Sequence, residues 1–75
     1  MHQQAELDLL IMQGGRRLGF EIKFTDSPSI TPSMKTAIKT LRLDSLLLVV
    51  PGSAHFKLSD DVTVCGLERI LESGK

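Results

Sequence analysis

The order of residue types predicts an α/β domain with a mixed sheet: an N-terminal antiparallel hairpin, a crossover helix, a buried parallel strand, then short C-terminal strands and a helical turn. Three observations predict it. Two runs of alternating polar and apolar residues flank Gly14-Gly15; an amphipathic stretch follows Thr31-Pro32; and an unbroken apolar run, 46–50, closes on Pro51-Gly52.

In the first run, 5–13, Glu6, Asp8, Leu10 and Met12 interleave with Leu7, Leu9 and Ile11; in the second, 16–24, Leu18, Phe20, Ile22 and Phe24 alternate with Arg17, Gly19, Glu21 and Lys23. Period-two alternation marks a strand with one buried face. Two glycines tolerate the positive φ of a two-residue type I′ turn, so the runs should form a hairpin. After a polar loop at Asp26, Ser27, Pro28 and Ser29, Thr31 is a plausible N-cap and Pro32 suits the first helical position. Met34, Ala37, Ile38 and Leu41 recur at i, i+3, i+4 and i+7, predicting a helix over residues 32 to about 42 whose stripe covers the hairpin. The run 46–50 reads as a strand buried on both faces and, after a helix, parallel to residues 16–24. Beyond it, 54–58 alternates loosely, Ser59-Asp60-Asp61 reads as a turn, 62–65 as a short strand and 67–71 as a closing helical turn or two.

Size and charge narrow the function. At 75 residues this is one small domain, 1–75, with a thin core and three phenylalanines as its only aromatics, and a large self-contained enzyme is excluded. Nine basic residues balance nine acidic ones, so no overall field attracts nucleic acid or anionic lipid. The single cysteine, Cys65, forms no internal disulfide, which fits a cytoplasmic setting, and a five-residue apolar run is far short of the roughly 20 residues of a membrane span. His2 and His55 stand alone. Cys65 reads as an inert strand thiol, and Lys35, Lys39 and Arg42 as a solvated helix face, with Arg16 and Arg17 at the hairpin tip.

The chemistry lies in the hairpin register. A two-residue loop pairs Gln13 with Arg16, so facing residues sum to 29: Asp8 faces Glu21 and Glu6 faces Lys23, while a three-residue loop would send the carboxylates to opposite faces. In the favoured register Leu7, Leu9, Ile11, Leu18, Phe20 and Ile22 form the core face, and Glu6, Asp8, Glu21 and Lys23 gather on the other. Opposed Cβ atoms lie about 5 Å apart, close enough for Asp8 and Glu21 to repel each other or share a hard cation. Mg²⁺ takes one or two protein carboxylates and keeps several waters, and Lys23 could stabilise charge on a phosphate. Equally, opposed charges on a solvated hairpin face are ordinary, and such ion pairs contribute only about 0 to 1 kcal/mol.

Glu6-Leu7-Asp8, the Gly-Gly turn and Glu21-Ile22-Lys23 together resemble the D…ExK half of the PD-(D/E)xK nuclease superfamily. More broadly, ELDLLIMQGGRRLGFEIKFTDSP followed by TPSMKTAI, LLLVVPG and VTVCGL resembles the C-terminal domain of unknown function that follows the ATPase module in many prokaryotic AAA-type ATP-binding proteins. The resemblance covers nearly the whole chain. It implies a truncated restriction-endonuclease-like core, with Asp8, Glu21 and Lys23 as candidate catalytic residues and Asp8, Glu21 and the Ile22 carbonyl as candidate Mg²⁺ ligands. The helix and strand that open that core have no counterpart before Ala5, and no glycine-rich phosphate loop ending in Gly-Lys-Ser/Thr occurs, so ATP binding is not expected. The chain reads as a C-terminal remnant. Two functional readings follow: an accessory or interaction domain of an ATPase-type protein, without cleavage activity of its own, which recruits a partner protein or a second copy as a homodimer through the open edge of its first strand; or a metal-dependent DNA nuclease using Asp8, Glu21 and Lys23.

Overall fold

The computed structural model describes residues 7–25 and 27–73. Seven elements follow one another: β1 (Leu9–Gln13), β2 (Arg16–Ile22), α1 (Pro32–Thr40), β3 (Ser45–Val50), β4 (His55–Lys57), β5 (Val62–Gly66) and α2 (Leu67–Ser73). The strands make one five-stranded mixed sheet in the order β1-β2-β3-β5-β4. β1 runs antiparallel to β2, β2, β3 and β5 are mutually parallel, and β4 returns antiparallel to β5.

The hairpin turns on Gly14 and Gly15, at φ 59° and 78°, in the left-handed region that a type I′ turn requires at both central positions. Its register is the expected one: Gln13 opposes Arg16, Ile11 opposes Leu18 and Leu9 opposes Phe20. Both strands are shorter than the alternation suggested, ending at Leu9 and Ile22.

Helix α1 begins where its cap signals place it. The Met34 N–H donates to the Thr31 Oγ1 at 3.3 Å, and Pro32 occupies the first helical position. It ends two residues earlier than the apolar stripe suggested, because Arg42 takes a left-handed φ of 53° and the Leu43 N–H reaches back to the Ile38 carbonyl at 2.9 Å. That is a Schellman ending, with the buried Leu43 supplying its hydrophobic contact and an arginine where glycine is usual. The connection is then tied to the hairpin. Arg17 Nε donates to the Leu41 carbonyl at 2.6 Å, the Arg17 N–H donates to the Asp44 carboxylate at 2.7 Å, and the Asp44 N–H donates back to the Arg17 carbonyl at 2.8 Å.

The core departs from the sequence-based expectation in three respects. Met34 of α1 packs with Leu43, Leu46, Leu48, Val50, Val62 and Val64, so the helix centres on β3 and β5, and of the hairpin only the inner strand turns a buried face, the outer strand being exposed along its whole length. The 46–50 run is buried on one face only; Leu47 and Val49, on the other, are half-buried. Third, the faces of β2 are reversed: Gly19 and Glu21 lie on the covered side, while Ile22 of the expected core face is exposed.

The reason lies in the parallel pairing. It sets Gly19 beside Leu46 and Glu21 beside Leu48, and because β3 is apolar on both faces its sequence does not say which face takes the helix. Gly19 makes room there: a Cβ on it would stand 2.7 Å from Leu43 Cδ1 and 3.0 Å from Leu7 Cδ1. At the far end of the sheet Gly66 is required for a similar reason, since a Cβ would collide with the Gly52 carbonyl group, which accepts from the Glu68 N–H at 3.0 Å at the start of α2.

Candidate functional site

Asp8, Glu21, Ile22 and Lys23 come together where β1 begins and β2 ends, but not as opposed side chains on a solvated face. The 29-sum register holds as far as Leu9 and stops there. Leu7 packs against the core beside Gly19, and Leu10, paired with Gly19, shares that face. Two residues three apart on one face mean that strict alternation is broken between them, and the break falls at Asp8, which sits in a bend. Its N–H donates to the Phe20 carbonyl at 3.0 Å and its Oδ2 accepts from the Ile22 N–H at 2.7 Å. The exposed Asp8 carboxylate thus substitutes for a ladder carbonyl and fastens the start of β1 to the end of β2, a charge-assisted bond of the stronger kind.

Glu21 is 5% exposed, the one buried charged side chain among the described residues, and this corrects its placement on a solvated face. Lys23, two residues on and on the same side of the strand, brings its Nζ to 3.6 Å from Glu21 Oε2. A carboxylate carried under a helix-covered sheet needs such a cation, because desolvation otherwise penalises its charged form. The Lys23 N–H continues the ladder to the Val49 carbonyl at 2.9 Å, which holds the backbone in register beyond the last residue of β2. The expected cross-strand pair of Glu6 with Lys23 lies outside the described residues, as do Asp26 and His2.

The end of β2 separates two cavities that sequence reasoning did not single out. On the helix side, a cleft of about 190 Å³ is lined by Lys23, Pro28, Met34 and the hydroxyl-bearing Thr25, Ser27, Ser29 and Thr31. On the other side, an apolar hollow of about 370 Å³ is bounded by Ile22, Phe24, Val49, Val50, Pro51 and Leu67. Alternation along 22–24 carries both: the odd residue turns to the polar cleft and the even ones to the apolar hollow. A run of hydroxyl residues after the ExK triplet was the available signal for the first; the second needs the tertiary pairing with β3.

Among the described residues no group of three or more His, Cys, Asp or Glu converges in a way that could hold a metal ion. His55 is exposed on β4 and Cys65 is a free, half-buried thiol. Lys35 and Lys39 stand exposed on α1. No helix of the described residues is long and apolar enough to cross a membrane.

Two uncharacterized proteins, one from Mycobacterium bovis and one from Mycobacterium tuberculosis, are each 47% identical to this chain over 72 residues, which is 96% of the chain and 16% of theirs. The chain therefore spans about a sixth of the length of these curated relatives. No family model matches the sequence, and no solved structure matches it.

Proposed function

We propose that this chain is a nuclease-derived accessory domain that works by docking, of the kind that follows the ATPase module in prokaryotic AAA-type proteins, and that it does not cut DNA on its own. The observation that carries the reading is the uncovered side of the sheet. Leu9, Ile11 and Ile22 on that face, with Phe24 and Leu67 beside it, are 38% to 89% exposed. Parallel strands are ordinarily covered on both faces, so this surface suits a module that completes its second layer against other protein. Its relatives fit such a role, since each holds the matching region as about a sixth of a longer chain. The restriction-endonuclease-like ancestry is part of the proposal: Asp8, Glu21 and Lys23 hold the positions of the D…ExK triplet while acting as fold contacts, one tying β1 to β2 and the other two pairing under α1. The cytoplasm is the compartment this reading implies.

A second reading, a metal-dependent DNA nuclease, is favoured by the 3.6 Å contact of Lys23 with Glu21, together with the bond that holds the Asp8 carboxylate to the intervening Ile22 N–H. Asp8 and Glu21 would then supply carboxylates to Mg²⁺, Ile22 its backbone carbonyl, and water the remaining ligands, a donor set within what that ion accepts. Bound there, the ion would supply Lewis-acid chemistry at a phosphodiester. Lys23 would hold a proton close to the scissile phosphate and offset charge developing on it.

One experiment separates the two. Linear and branched DNA are incubated with the chain in Mg²⁺ and in Mn²⁺, and the same ions are titrated into isotope-labelled protein followed by amide NMR. The docking reading expects intact DNA and no selective perturbation at residues 8, 21 and 22. Cleavage abolished by both Asp8→Ala and Glu21→Ala would overturn it in favour of the nuclease.

A further inference from the structure

The sheet has two edges of different character. β4 is three residues long and carries His55 and Lys57, and a short charged edge is one of the usual guards against unwanted strand addition. β1 has none of those guards. Its five residues, Leu9, Leu10, Ile11, Met12 and Gln13, include no charge, no proline and no glycine, and every one is exposed. Leu9 and Ile11 project to the uncovered side of the sheet and Leu10 and Met12 to the helix side, so the edge is apolar above and below, with its outward backbone groups between.

We propose that β1 adds antiparallel to β1 of a second copy of this chain about a twofold axis at Ile11, joining two five-stranded sheets into one. The charge arrangement selects this occupant and this direction. One end of β1 is preceded by the exposed carboxylate of Asp8; the other runs into the Gly14-Gly15 turn, flanked by the exposed Arg16. Twofold antiparallel pairing sets Leu10 opposite Met12 and Leu9 opposite Gln13, and brings Asp8 of each copy opposite Gly14 of the other, at the turn that Arg16 flanks from β2. Parallel pairing would stack Asp8 on Asp8. The contact is isologous and closes at two chains, so it makes a dimer and not a fibre. A five-residue edge buries less than the roughly 800 Å² per partner of a standard interface, which makes the dimer concentration-dependent. The inference goes beyond the docking reading, because strand addition at the edge extends the sheet and leaves its uncovered side free for other protein; the DNA experiment above tests that reading separately, so failure of one is not failure of the other.

Sedimentation across a wide concentration range, with amide exchange read by NMR, tests it. The mass should rise from 8.3 kDa toward twice that value, with exchange protection gained in β1 and not in β4. Ile11→Lys, which sets a charge at the twofold axis outside the buried core, should hold the chain monomeric at every concentration. Arg16→Glu, at an exposed position, should weaken association by about tenfold, the effect of roughly 1.4 kcal/mol. It keeps the test decisive should Ile11→Lys fail to fold. A wild-type chain that stays monomeric, or a dimer that ignores the folded variants, would overturn the proposal.

Discussion

Leu47 and Leu48 are neighbours on β3, yet Leu48 is fully buried beneath α1 while Leu47 is half-buried on the opposite face. The contrast runs across the sheet. On one side Leu46, Leu48, Val50, Val62 and Val64 are 0% to 3% exposed; on the other, Ile22 and Leu9 keep about half their surface in water. Both faces are apolar in sequence. α1 lies over one of them, and the one buried charged residue among those described, Glu21, is on that side. Apolar composition therefore identifies strands that belong in an interior without saying which interior they enter.

The largest expected effect tests that contrast directly. Leu48→Ala should cost about 3 kcal/mol, the sum of lost transfer free energy and the cavity left behind, whereas Leu47→Ala should cost about 1 kcal/mol or less. Urea titration of the two variants reads both. Equal losses would mean that the second face is covered in solution, and a smaller gap at high protein concentration than at low would tie that cover to association. Lys23→Met comes next: removing the cation that lies 3.6 Å from the buried Glu21 carboxylate should lower stability by about 1 to 2 kcal/mol in thermal melts. An unchanged melt would mean the pair contributes nothing to the covered face. The smallest effect belongs to the open side. Phe24 is 89% exposed, and Phe24→Ser should shift stability by no more than about 0.5 kcal/mol while reducing binding of a hydrophobic dye.

Much of the chain's architecture could be read before its coordinates. The Gly-Gly turn sets the hairpin pairing, Thr31-Pro32 starts α1, and a helix between two strands makes β2 and β3 parallel, because each is governed by local backbone chemistry or by short connections. What escaped was decided at longer range. The side of β2 that faces α1 depends on the pairing with β3 and on the space left by Gly19, and neither is visible in the alternation of 16–24. The candidate site was legible in its membership but not its geometry: Asp8, Glu21 and Lys23 do lie at one end of the hairpin, but the irregularity at Asp8 comes from Leu7 entering the core, and a strict count of two cannot foresee it. Likewise the early end of α1 follows from a left-handed arginine, a conformation that no cap residue announces.

The Arg17 clamp couples parts of the molecule that packing alone would leave loosely joined. The hairpin's outer strand buries little, so by itself it would peel away at small cost. Arg17, however, sits on the inner strand and grips both the last turn of α1 and the residue that leads into β3. Separating the hairpin from the sheet means releasing the helix terminus at the same moment. The hairpin's inner strand should thus melt in a single cooperative step with the centre, staying in place as long as the core itself persists.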